Sequence, residues 1–324
     1  MKLLDKLEHV ATADMTLSGD EALELLNLDA TGPDFYRLLA LSNRISREKF
    51  KDRGYVFAQI GINAAPCPMN CAFCSMGGDH YVMDSRWSKD SATLREEAGR
   101  LLAEGVDDLF LMTTADYPQE RFVECAAAVR AILPDRVRLV ANIGDFSPET
   151  AKELKAAGCT GAYHIRRLRE GQDTGIPPEK REQTLDNIRK AGLDLYYCIE
   201  PIGPEHAYPE LVEEMLRARR LDVRIMAAMR RIPVPGTPLA AKGQISGLEL
   251  TKVVAVTNLL VNPSRSMNVH EPMQMPLLAG VNQLYAESGA NPRDTNSRTE
   301  QSRGFSPARA WAMLAEGGWF PASA

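Results

Sequence analysis

Three cysteines, Cys67, Cys71 and Cys74, stand in a C-x3-C-x2-C arrangement inside the stretch YVFAQIGINAAPCPMNCAFCSMGGD, residues 55–79. Thiolates are soft ligands that suit zinc or an iron–sulfur cluster. Three at this spacing leave one coordination position without a cysteine, and two occupants are open to it. His80 would complete a structural Cys3His zinc site. In a [4Fe–4S] cluster the fourth iron would instead stay open to a substrate. The apolar run ahead of the cysteines, YVFAQIGIN, reads as a β-strand. An α/β barrel places its active site at the carboxyl ends of its strands, and that position favours the open cluster.

The remaining cysteines are scattered. Cys125 falls on a helical run and Cys159 follows the helix-ending Gly158, so both read as small buried apolar residues. Cys198 falls inside a strand. Six cysteines in 324 residues are no disulfide framework and suggest a reducing compartment. A formal charge of −5 offers no basic face for nucleic acid, so composition favours a small-molecule partner. No run approaches the ~18 apolar residues that a membrane helix needs. The N-terminal MKLLDKLEHVATADM lacks the apolar core of a signal peptide, and the expected location is cytoplasmic.

The elements that must position the cysteines follow from an alternation that begins at Tyr55. Short β-rich runs at 55–63, 107–114, 137–144, 161–166, 193–201 and 223–229 alternate with amphipathic runs at 91–105, 119–133, 147–158, 177–192, 208–221 and 246–261. That is the pattern of βαβ units and a parallel sheet. Residues 266–271 and 282–288 are candidates for strands seven and eight, and 306–318 for a closing helix. Eight units predict an α/β fold of the closed (β/α)8 TIM type; without the last two, a partial barrel of six stays open. Residues 15–53 read as helices, with Ser18 capping the first, so 1–54 forms an N-terminal helical extension and 55–324 the barrel.

CPMNCAFC, with Phe73 just before the third cysteine, resembles the cluster loop of the radical S-adenosylmethionine enzymes. SGDEALELLNLD, a helix ending in REKF, a strand and then the cysteines are similar in layout to biotin synthase, the [FeFe]-hydrogenase maturase and methylornithine synthase. TTADYP resembles the family's substrate- and methionine-binding segment, and RIPVPGTPL a segment of the maturase group. The resemblance implies a [4Fe–4S] cluster on Cys67, Cys71 and Cys74, with the fourth iron chelated by the amino and carboxylate groups of S-adenosylmethionine. A reduced flavodoxin or ferredoxin-type donor would supply an electron. Cleavage of the sulfonium would then give a 5′-deoxyadenosyl radical that takes hydrogen from a small molecule in cofactor or metabolite biosynthesis.

The resemblance also implies roles for single residues. Phe73, Ile232 and Pro233 would border the adenine; Thr113, Thr114 and Asp116 would meet the methionyl amino group; Arg166 would face the carboxylate; Glu200 would meet the ribose or the substrate. Asn142, Cys198, His270 and Glu271 are substrate-side candidates. Each has a plainer reading. Phe73 would simply pack the loop, Arg166 belongs to a solvated RRLR cluster, Asp116 and Glu200 are caps or surface acids, and His270 is structural. Asn291, Arg293, Asp294 and Thr295 either line a pocket or form a turn. Threonines stand where the family usually has glycines after strand two, and Leu168 stands where the maturase has a glutamate. No second cysteine group has cluster spacing, which favours carbon-skeleton rearrangement or fragmentation over sulfur insertion of the biotin or lipoyl type. The alternative from another class is a zinc-stabilised ligand-binding barrel.

Overall fold

A computed structural model describes residues 3–10, 12, 14, 15, 17–81, 86–286 and 306–321. Three helices come first, α1 (Leu3–Val10), α2 (Gly19–Leu26) and α3 (Pro33–Phe50). Ser18 and Glu21 form a reciprocal capping box that fixes the start of α2. The next strands and helices are β1 (Tyr55–Gly61), β2 (Asn63–Ala64), β3 (Trp87–Ser88), α4 (Ser91–Ala103), β4 (Asp108–Met112), α5 (Gln119–Arg130), β5 (Arg138–Asn142) and α6 (Pro148–Ala156). They are followed by β6 (Gly161–Tyr163), α7 (Pro178–Lys190), β7 (Asp194–Ile202), α8 (Tyr208–Arg220), β8 (Ile225–Arg230), α9 (Gly247–Val261), β9 (Ser266–Val269), β10 (Gln283–Ala286) and α10 (Pro307–Glu316).

Eight strands close into a parallel barrel in the order β1-β10-β9-β8-β7-β6-β5-β4. The seam is the pairing of Tyr55–Ala58 with Gln283–Ala286. A partial barrel of six units is thereby overturned: β9 and β10 are only four residues each, but four suffice to pair on both sides. The fourth barrel strand, expected over 161–166, stops at Tyr163, a difference with consequences for the site.

Helices α2 and α3 pack on α8 and α9 outside the barrel, and their apolar faces join one continuous core through Leu25, Leu26, Phe35 and Leu38. Helix α9 is buried along almost its whole length because α3 covers the side that would otherwise face water. At the amino end, α10 crosses β1 and β10. There Trp311 Nε1 donates to the Gly105 carbonyl at 2.9 Å, and Arg47 stacks 3.7 Å over the buried ring of Trp319. Among the described residues no helix is long and apolar enough to cross a membrane.

Candidate active site

The cysteine loop leaves the carboxyl end of β1 and returns through a two-stranded antiparallel ribbon. Asn63 and Ala64 pair with Ser88 and Trp87, closing the base of the loop. Inside it, Cys67 N–H donates to the Met76 carbonyl at 2.6 Å and Gly78 N–H to the Cys67 carbonyl at 2.9 Å. Two later barrel loops tie it down from outside. Ala72 N–H donates to the Asp173 carbonyl (2.8 Å), Gly175 N–H to the Met69 carbonyl (2.6 Å), and Leu239 N–H to the Ala72 carbonyl (2.9 Å). Gly175 is required there, since a Cβ would stand 2.9 Å from the Met69 oxygen. Gly144 is required for the same reason, as its Cβ would fall 2.1 Å from the Ala115 oxygen.

Cys67, Cys71 and Cys74 are half-buried and line one wall of a cavity of about 210 Å³. Burial pushes the Cys71 thiol up to about 12, against the pull of the nearby Arg167 charge. Burial likewise raises Cys67, although the backbone N–H groups of Met69 and Ala115 point at its sulfur. The zinc reading loses its fourth ligand here, because His80 Nε2 is turned to the Cys71 and Cys74 carbonyls at 3.1 and 3.0 Å. Among the described residues, two metal-capable groups bring three donors within 4.8 Å of one another, and neither contains the loop cysteines. Sulfurs on a single zinc ion would sit closer together, with Zn–S bonds of about 2.3 Å.

Strand alternation builds the rest of the cavity. Phe57, Phe110, Tyr163 and Tyr285 form an aromatic floor; the Phe57 ring lies 5.0 Å from both Phe110 and Tyr285, and Phe110 lies 6.0 Å from Tyr163. One layer higher stand Gln59, Asn142, Glu200 and His270, with Asn142 Nδ2 donating to Gln59 Oε1 at 3.2 Å.

A basic wall faces the cysteines. Arg167 Nε lies 3.6 Å from Glu200 Oε1, and its guanidinium is 6.0 Å from the Phe73 ring centre. Arg181 is almost fully buried, with Asp145 at 3.4 Å and Glu170 at 3.5 Å. His164 completes this network, its Nε2 3.0 Å from Asp145 Oδ1, to which Thr184 also donates at 3.0 Å. Burial drives His164 down to about 4, so the ring is neutral at ordinary pH. Burial would raise Asp145, but the bonds from His164 and Thr184 and the Arg181 charge hold it at about 2. Within this wall the Nε atoms of Arg167 and Arg181, the Thr113 hydroxyl and the Tyr163 hydroxyl are buried without a hydrogen-bond partner. Orphaned buried donors of this kind mark a place for a ligand.

Of the residues singled out from sequence, Phe73, Thr113, Thr114, Asn142, Glu200, Ile232, His270 and Glu271 line the cavity with the three cysteines. Four do not. Arg166 turns outward to Glu182 at 3.4 Å, because the strand ends at Tyr163 and the chain curls, with Arg169 at a positive φ of 55°. The neighbouring Arg167 takes the inward place. Asp116 is exposed beside Cys67, Pro233 alternates outward between Ile232 and Val234, and Cys198 sits beneath the cavity, fully buried. Thr114 is committed to Asn63, exchanging bonds of 2.9 and 3.0 Å. Glu271 is committed to Arg230, with two bonds of 2.6 Å. Asn291, Arg293, Asp294 and Thr295 lie outside the described residues. Sequence reasoning missed Arg181, His164, Asp145 and the aromatic floor. The floor was available as alternate positions of β1, β4, β6 and β10, whereas the basic network joins residues from three separate loops and helices.

Three comparisons bear on this site. No family model matches the chain. Biotin synthase from Geobacter sulfurreducens is 28% identical over 316 residues, covering 93% of this chain and 92% of that protein. The solved structure of methylornithine synthase (PylB) superposes with a TM-score of 0.84 at 18% identity, covering 99% of this chain and 98% of that one. The [FeFe]-hydrogenase maturase HydG from Carboxydothermus hydrogenoformans superposes with a TM-score of 0.83 at 17% identity, over 99% and 78%. The likeness to biotin synthases, which are radical S-adenosylmethionine enzymes, extends over most of the chain. With PylB and HydG the chain shares its fold. The chain is an enzyme, and the cofactors of these relatives are a [4Fe–4S] cluster and S-adenosylmethionine. Radical S-adenosylmethionine enzymes act on small-molecule substrates and need a reductant. The residues present fit these cofactors: three thiols on one wall face two buried guanidinium Nε–H groups and a threonine hydroxyl, complements for a chelating carboxylate and amine.

Proposed function

We propose that this radical S-adenosylmethionine enzyme rearranges or fragments the carbon skeleton of a small, carboxylated, amino-acid-like molecule. One observation supports that reading above others: the barrel interior below the cysteine loop is sealed by four aromatic rings and holds a single thiol, Cys198. A cavity of that kind protects a reactive carbon radical from water and offers no second cluster as a sulfur source.

When bound, the cluster and S-adenosylmethionine supply a hydrogen-abstracting carbon radical through reductive cleavage of the sulfonium. The chain does the rest. Cys67, Cys71 and Cys74 hold the cluster. Arg167 and Arg181, whose Nε–H groups face carboxylates but make no hydrogen bond, orient a carboxylate, and Thr113 offers its hydroxyl to an amine. Phe73, Ile232 and Val234 border an adenine. Asn142, Gln59, Glu200 and His270 orient the polar end of the substrate over the aromatic floor. The reductant would be a flavodoxin or ferredoxin-type protein, in the cytoplasm.

The test is anaerobic reconstitution followed by reduction with S-adenosylmethionine and a panel of deuterated amino-acid-like compounds. Formation of 5′-deoxyadenosine, with deuterium transferred from one of them, supports the reading. A reconstituted chain that makes no deoxyadenosine sinks it. A sulfur-bearing product would favour sulfur insertion, the second reading, which the likeness to biotin synthases supports.

A further inference from the structure

Cys198 and Glu200 are two residues apart on β7, so both side chains face the barrel interior. His270 reaches the same point from the end of β9. The Cys198 sulfur, a Glu200 carboxylate oxygen and a His270 ring nitrogen all lie within 4.8 Å of one another. Yet the charged neighbours are held apart: His270 Nδ1 is 3.7 Å from Glu200 Oε2, and Arg167 Nε is 3.6 Å from Oε1. The Tyr163 hydroxyl, on a residue only 8% exposed, opens onto this cavity without a partner. A loose Glu200–His270 ion pair would account for two of these groups. The Cys198 thiol and the Tyr163 phenol stand beside that pair, and each faces Glu200.

We propose that Cys198, Glu200 and His270 form a three-ligand site for a divalent ion of the zinc class, separate from the cysteine loop and with its fourth position open to the cavity. A thiolate, an imidazole and a carboxylate make a borderline-soft donor set, suited to zinc rather than to calcium or magnesium. Zinc bonds of about 2.0–2.3 Å place such donors roughly 3.5 Å apart, a contraction that side-chain rotation supplies. Binding releases the Cys198 proton to solvent, and the resulting thiolate offsets the nearby Arg167 charge. The open position takes an amine, thiolate or carboxylate of a small-molecule substrate, with the Tyr163 hydroxyl beside it as a hydrogen-bond donor. This site does not depend on which reaction the enzyme performs.

The test uses the full-length holoenzyme, incubated with zinc sulfate and desalted. Elemental analysis should find about one zinc per chain beside the iron, and zinc-edge X-ray absorption one sulfur among nitrogen and oxygen neighbours. Cys198→Ala and His270→Gln should each weaken zinc retention by about tenfold or more, a loss at least as large as that from removing an outer-shell partner. Their iron content should be unchanged. No zinc on the wild type, zinc with three sulfur neighbours, or zinc retained by both variants overturns the proposal. Should Cys198→Ala misfold, judged by lost iron and circular dichroism, His270→Gln decides alone.

Discussion

The two ends of the barrel are built from the same strands and differ in how polar groups gather: the amino end leaves isolated atoms, Asn268 Oδ1 and Trp319 Nε1, without a partner, whereas the carboxyl end clusters them around one cavity. At the amino end, Asp108 is fully buried and accepts two bonds of 2.8 Å from Arg265 and one of 2.7 Å from Gln283. Gln283 in turn accepts from Ser266 at 2.7 Å, and Arg138 donates to the Tyr196 hydroxyl at 2.6 Å. At the carboxyl end, four buried polar atoms around one cavity make no hydrogen bond, and the two arginine Nε atoms among them meet only carboxylates 3.5–3.6 Å away. A satisfied network stabilises and a half-satisfied one costs free energy, so the difference separates the end that holds the fold from the end that does chemistry.

The largest effect should come from the cysteine loop. Cys71→Ala should reduce iron from about four per chain to background and abolish deoxyadenosine formation, while the urea midpoint of the apo chain stays put. Iron retained at the wild-type level would break the assignment. Arg265→Leu strikes the opposite end and should do the reverse. It leaves Asp108 buried and uncompensated, at a cost of about 3–5 kcal/mol in urea denaturation, yet deoxyadenosine per folded chain should not change.

Arg167→Lys keeps the charge but loses the planar fork. S-adenosylmethionine binding, followed through its perturbation of the cluster's electron paramagnetic resonance, should weaken by roughly 1.5–3 kcal/mol. Acid should erode the carboxyl end first. His164 is held at about 4, below its ordinary 6.5, so the unfolded chain takes up that proton before the folded one does. Stability is therefore fully present above pH 6.5 and declines as pH falls toward 4, with Asp145 adding a further loss between its ordinary 3.8 and about 2. Urea midpoints across this range measure it, and His164→Gln should flatten the upper part of the profile. The smallest change is expected for Thr113→Val: no loss of stability, because the hydroxyl has no partner to lose, and about 1 kcal/mol weaker S-adenosylmethionine binding.

Much of the barrel was legible in the chain because strands and helices differ in period, and several helices close with a glycine stop signal. Ser18 and Glu21 announced α2, and Gly105, Gly158 and Gly192 marked chain reversals in left-handed geometry. The N-terminal Leu4 and Leu7 also form a helix of their own, α1, ahead of the expected one. Short strands were harder: β9 and β10 hold together only because each has a neighbour on both sides, and pairing of that kind is invisible one segment at a time. Arg166 and Arg167 show the limit most clearly. Strand alternation picks one of two adjacent arginines, and an early strand end at Tyr163 reversed the choice.

The sequence by itself determined the three thiols, their place after the first barrel strand and the eightfold alternation, since each rests on local spacing. Only the tertiary structure decided which charges face those thiols. Arg167, Arg181, His164 and Asp145 come from different loops and helices, and their meeting depends on barrel closure. The same closure set Cys198, Glu200 and His270 around one point, while the folding of the loop on itself turned His80 toward the Cys71 and Cys74 carbonyls.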